Sequence, residues 1–272
     1  MNLTSVMFAP GMPDDLGVPR GIIIDRASYH TDHDPVTGAE TWRSTVELFS
    51  TRNYPRMVKL IGKAAPGTMV TINFEQDQPT AYSPNFDDAT NLKAIKNVAA
   101  MFVMARRANP GVWLDWNQPG PIGMTYDAWR GMETVPPEYY RRCEYINQAI
   151  VHYVIPHVDS VSGQCYLPDP GTTVDGVEID RDAEVRQYIR LYLWGLSGWG
   201  KPINLMTSPW YVGTRNDAIN GDDLDKLLYS FARVNPPRLI LWGGPPAGTQ
   251  WADWAKTAEW RQGWLSAAAG GK

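Results

Sequence analysis

The stretch VTINFEQDQP, residues 70–79, decides how the rest of the chain is understood. Val70, Ile72 and Phe74 alternate with Thr71, Asn73 and Glu75, a period of two that belongs to a β-strand with two different faces. One face is apolar enough to lie beneath helices. The other carries an amide and a carboxyl group, which are costly to bury unless water, a ligand or each other satisfies them. A strand with both properties is expected where a sheet has helices on one side and a polar interior on the other.

Working outward, the same kind of segment recurs at residues 3–9, 21–27, 112–117, 158–166, 203–212 and 238–244, giving seven strands with 69–77 included. Helical patterns fill the intervals at 41–63, 87–108, 136–155, 180–198 and 222–234, and a last one follows at 251–265. Alternation of strand and helix predicts a parallel α/β sheet. Pro and Gly enter the strands through tight turns, as at Ala65-Pro66-Gly67, Gly200-Lys201-Pro202 and Pro236-Pro237. Long irregular segments leave them, at 29–40, 78–88, 117–135 and 167–179. That asymmetry is expected of a TIM-like (β/α) barrel of seven or eight strands whose site is built by the loops after the strands, a fold that commonly takes about 250 residues. A single barrel domain over residues 1–266 with a flexible tail at 267–272 is expected.

Applied to every strand, one parity assignment sends Asp25, Asn73, Glu75, Asp115, Asn117, Gln164, Tyr166, Trp210 and Trp242 toward the pocket side. The partner parity, with Ile24, Val70, Ile72, Leu114, Trp116, Val161, Cys165, Leu205, Leu239 and Leu241, is left for the helices. Paired carboxyl groups among aromatic rings suit glycoside cleavage, in which one protonates the leaving oxygen and a second acts as nucleophile or base. Glu75 is the candidate acid, because a strand-end Glu surrounded by Trp and Tyr is desolvated and held protonated near neutrality. Asp115 on the next strand, Asp77 about 7 Å farther along the same strand, and Asp25 on the other neighbour compete for the second role. Asn73, Asn117, Gln164, Tyr166, Trp210 and Trp242 are the candidate sugar contacts, the two Trp as stacking platforms.

These motifs resemble the bee-venom-type hyaluronidases, whose barrel has seven strands, and share their logic with chitinase-type barrels. INFE (72–75) stands where that family has IDWE, QCYLP (164–168) resembles its Tyr-bearing strand, and RLILWGG (238–244) its final strand. The resemblance implies that Glu75 donates the proton, that Tyr166 and Trp242 line the sugar site, and that a polysaccharide is the partner. Asn73 departs from it. The family's Asp at that place positions a substrate acetamido group acting as internal nucleophile, so the substitution favours a different second group or a barrel that holds glycan without cutting it. A non-catalytic glycan-binding module or a virion or cell-surface structural barrel is therefore the alternative.

Composition narrows the remaining classes. The chain has 272 residues, a formal net charge of −4 and no cluster of Lys and Arg interleaved with aromatics, so nucleic acid is not an expected partner. Twelve Trp and 13 Tyr give an unusual supply of flat rings for stacking. Cys143 and Cys165 are too few for a disulfide framework or a structural zinc site and are expected as reduced core thiols. HTDHD (30–34) offers metal-ligating types, yet lies in a predicted loop, and GGPPAG (243–248) loses two amide donors to proline and lacks a following Lys-Ser/Thr. No metal or cofactor is expected. The N-terminal MNLTSVMFAPGMPDD has no basic segment before an apolar one, and no run suits a membrane span. A soluble protein without a Sec signal is expected, cytoplasmic or released with a phage or virion.

Overall fold

The computed structural model describes residues 2–5, 19–24, 32–33, 40–41, 54–73, 87–117, 119, 136–174, 176–208, 211, 219 and 221–242. They fall into two compact units. One comprises Ile22–Val161 with Gly195–Lys201, and the other Met1–Gly21, Ser162–Trp194 and Pro202–Lys272. Each of the seven segments read as strands contains one: β1 (Asn2–Ser5), β2 (Ile22–Ile24), β5 (Met69–Asn73), β6 (Trp113–Asn117), β7 (Ser160–Gln164), β10 (Ile203–Thr207) and β11 (Arg238–Leu241). Two short antiparallel pairs were not anticipated: β3 (Asp32–His33) with β4 (Glu40–Thr41), and β8 (Thr173–Val174) with β9 (Val177–Glu178).

In the first unit β5 lies between β2 and β6, parallel to both, with Ile24 opposite Ile72, Thr71 opposite Asp115 and Asn73 opposite Asn117. Paired residues of parallel strands share a face, so these registers carry the alternation of one strand onto the next. Helix α1 (Tyr54–Gly62) precedes β5, α2 (Asp88–Ala108) joins β5 to β6, and α3 (Pro137–Tyr153) leads from β6 toward β7. Of the predicted helix over 41–63, Tyr54–Gly62 is helical and Thr41 instead pairs in a strand with Glu40 beside it, while 42–53 lie outside the described residues.

Helix α2 shows why the chain folds this way. Asp87 accepts the Thr90 backbone N–H at 2.8 Å and its hydroxyl at 2.9 Å, an N-cap that satisfies a donor the first turn would otherwise leave open. Its side facing the sheet buries Ala94, Ile95, Val98, Met101, Phe102 and Ala105. Phe102 meets Trp116 of β6 with ring centroids 5.7 Å apart, placing Trp116 on the helix side as the parity predicts. At the far end Asn109 Nδ2 donates to the carbonyls of Ile61 and Ala64, and its Oδ1 accepts from Gly111 N–H at 3.0 Å, which stops the helix and turns the chain into β6. Asp159 Oδ2 braces the same end, accepting from Arg106 at 2.5 Å and from Leu114 N–H at 2.7 Å.

In the second unit β11 lies between β1 and β10, parallel to both. The chain leaving β7 is tied to β10 by Cys165 N–H donating to Met206 O at 2.7 Å. Helices α4 (Arg181–Leu196) and α5 (Gly221–Val234) cover this sheet. Cys165, Leu205, Leu239 and Leu241 pack with Val185 and Ile189 of α4 and with Leu224, Leu227 and Phe231 of α5, the outward parity again. Both cysteines are free and buried, and burial pushes the Cys165 thiol well above its ordinary value, so it behaves as an inert core group.

Gly163 of β7 is required by packing. A Cβ there would stand 2.1 Å from the ring of Tyr192 on α4. Gly163→Ala is expected to destabilise the protein by about 1–3 kcal/mol, as overpacked cores do. Denaturant unfolding of Gly163→Ala with and without Tyr192→Leu checks the cause, because the second change restores the space.

Candidate functional site

Three of the proposed site residues lie buried on one sheet face of the first unit, held by two sets of hydrogen bonds. Asn117 Nδ2 donates to Asn73 Oδ1 at 3.1 Å, joining the last residues of β5 and β6 on the face away from Trp116. Asp115 sits two residues before Asn117 and hence on the same face, fully buried, and its Oδ1 accepts from Ser160 Oγ at 2.6 Å. Ser160 Oγ in turn accepts from Trp113 Nε1 at 2.8 Å. The relay from Trp113 through Ser160 to Asp115 fixes the carboxylate by way of two strands, and Thr71, also fully buried, stands opposite Asp115. Six polar or amphipathic side chains on one sheet face are unusual for a plain core, whose polar groups are mostly backbone.

The link to Asn117 also bears on the departure at position 73. It commits Asn73 Oδ1 to an accepted hydrogen bond, and the side chain at this place is a neutral amide where a carboxylate would carry charge.

The second unit carries the aromatic part. Tyr166 and Trp242 stack with ring centroids 5.7 Å apart and planes inclined by 23°, both half-buried, just beyond β7 and β11. Trp242 is anchored by its own backbone N–H donating to Thr207 O at 2.9 Å. Ser162, Gln164, Asn204 and Ser208 are buried polar residues of the same unit on the parity assigned to the interior. Glu75, Asp77, Asp25 and Trp210 lie outside the described residues, as do His30, Asp34 and GGPPAG.

A further network was not legible in sequence. Asp223 in the first turn of α5 accepts from Arg181 of α4 at 2.9 Å and from the Tyr211 hydroxyl at 2.6 Å, while the Arg181 guanidinium lies over the Tyr211 ring at 5.5 Å. Helix starts follow strand ends in an α/β chain, so this network braces loops on the side where β7 and β10 end. Burial and the hydrogen bond to Asp223 push the Tyr211 hydroxyl up to about 12. A folded value raised above the ordinary 10.0 means that the contribution is complete below pH 10 and lost as pH climbs toward about 12. Alkaline unfolding of the wild type is expected to show this loss, and Tyr211→Phe to flatten it, measured by chemical denaturation across that range.

Among the described residues no helix is long and apolar enough to cross a membrane. No protein-family model and no curated protein sequence matches the chain. Solved structures do. Bee venom hyaluronidase in complex with a hyaluronic acid tetramer superposes with a TM-score of 0.65 at 12% identity, covering 97% of this chain and 98% of that one. A monoclinic crystal structure of bee venom hyaluronidase gives 0.63 at 11% identity, covering 98% of each chain. With near-complete coverage of both chains, the chain resembles bee venom hyaluronidase in fold, an α/β fold of parallel strands and helices.

Proposed function

We propose that the protein is a carbohydrate-active glycoside hydrolase, folded as one (β/α) barrel over residues 1–266, with Glu75 as general acid and Asp115 as the second carboxylate. The observation that carries this reading is the relay that buries Asp115 completely yet holds its carboxylate by Ser160 and Trp113 on the pocket parity. A fully buried Asp is expensive unless its hydrogen bonds and a function compensate for desolvation. Glu75 follows Asn73 by two residues in the sequence, the spacing that an extended strand would give the same parity. Tyr166 and Trp242 supply an aromatic surface of the kind that sugar rings stack on.

Asp115 leads for the second role because it lies on the strand next to β5 and its carboxyl group is held by Ser160, with Asp77 and Asp25 as the other candidates. The hydrogen-bonded amide at Asn73 argues for a second carboxylate rather than for substrate assistance, since an amide cannot supply the acceptor charge that positions an acetamido N–H. The same amide supports the alternative of a glycan-holding barrel without turnover. Incubation with a panel of neutral and acidic polysaccharides, read by new reducing ends and by affinity electrophoresis, separates the two. New reducing ends on any glycan support the hydrolase, retardation without them supports the binding module, and neither result overturns both.

A further inference from the structure

A groove of about 370 Å³ on the helix layer, between α4 and α5, is lined by Arg186, Arg190, Lys226, Arg233, Tyr229 and Ser230. Arg186 and Arg190 are one turn apart on α4, while Lys226, Tyr229, Ser230 and Arg233 follow the three-and-four spacing of one face of α5. The four cations are exposed, and among the described residues no carboxylate lines the groove. Lys226 reaches Asp182 at 3.5 Å, and Arg233 lies 5.9 Å from the centre of the Tyr229 ring. Among the described residues no ion pair engages Arg186, Arg190 or Arg233. The helical spacing continues from Arg190 to Trp194, whose side is 76% exposed, and Tyr229 is 65% exposed.

Concentrating four cations in one groove of a chain with net charge −4 works against mutual repulsion and marks the place for an anion. The exposed flat rings on the same helix faces add a surface that stacks on sugars. We propose that this groove is a binding site for an anionic polysaccharide, with the guanidinium groups on its carboxylate or sulfate groups and Tyr229 and Trp194 against its rings. The inference is independent of cleavage at the strand ends. A nucleic acid fits less well, because its charge is one per nucleotide along a long strand and the four cations here are confined to one short groove of a chain with net charge −4.

Affinity electrophoresis of the full chain against polygalacturonate, dextran sulfate and neutral dextran tests the site. Retardation by at least one acidic polymer and not by neutral dextran is expected, weakening as salt rises. Arg186→Gln/Arg190→Gln/Arg233→Gln is expected to weaken that binding at least tenfold with unchanged circular dichroism. Preference for polygalacturonate assigns carboxylate recognition, and preference for dextran sulfate assigns sulfate. Trp194→Ala, which leaves the charge alone, is expected to weaken it several-fold. Wild-type retardation of the triple variant, an unchanged Trp194→Ala, or tighter binding of a single-stranded oligonucleotide than of either acidic polymer overturns the proposal. Reducing-end release by the triple variant from a neutral substrate reads the strand-end site separately.

Discussion

Glu75→Gln is expected to lower turnover of a natural glycan by roughly 10²–10⁴-fold, the usual contribution of a positioned proton donor. The amide keeps the size and most of the hydrogen bonding of the carboxyl group, and lacks only the titratable proton. Binding of the glycan is therefore expected to survive, so kcat falls while the dissociation constant hardly moves. Substrates whose leaving group needs little protonation are expected to lose far less. Wild-type turnover of the natural glycan by Glu75→Gln removes Glu75 from the acid role.

Asp115→Asn separates chemistry from architecture at the buried carboxylate. Ser160 Oγ, 2.6 Å from Asp115 Oδ1, can still donate to an amide oxygen, so the loss of stability is limited to exchanging a charged acceptor for a neutral one, about 1–2 kcal/mol. Loss of the negative charge removes a nucleophile or base outright, and turnover is expected to fall by at least about 10²-fold. Asp115→Ala is expected to cost more stability, because it leaves a buried Ser160 hydroxyl without its acceptor. A folded Asp115→Asn that cleaves at the wild-type rate assigns Asp115 to structure alone and passes the second role to Asp77 or Asp25. Circular dichroism and reducing-end kinetics on the same preparations distinguish these outcomes.

Much of the fold was legible because its signals are local. The alternation in Val70–Asn73 and the tight turn at Ala65-Pro66-Gly67 each depend on a few neighbouring residues, and strand and turn follow in the structure, with Thr68 N–H donating to Ala65 O and Gly67 at positive φ. The β3–β4 and β8–β9 pairs were missed for the converse reason. Two-residue strands are too short for any period to show, and Asp32-His33 reads as a polar loop until Glu40 and Thr41 are placed beside it.

The site divides in the same way. Parity placed Asp115 and Asn117 on one face, and the register with Thr71 and Asn73 agrees. The hydroxyl that holds Asp115 comes from Ser160, 45 positions away, and no local pattern couples the two. Tyr166 and Trp242 were each singled out as sugar contacts, but their stacking depends on how separate strands end. Arg181, Asp223 and Tyr211 escaped notice because first-turn charges are commonplace and only folding brings these three together.

A crystal structure of Glu75→Gln with an uncleaved oligosaccharide tests the central claim most directly. The account predicts sugar rings against Tyr166 and Trp242, the glycosidic oxygen within hydrogen-bonding distance of the amide at position 75, and Asp115 on the pocket side of its strand. An oligosaccharide found only on the helix layer, with the amide at position 75 packed among helix side chains, would contradict it.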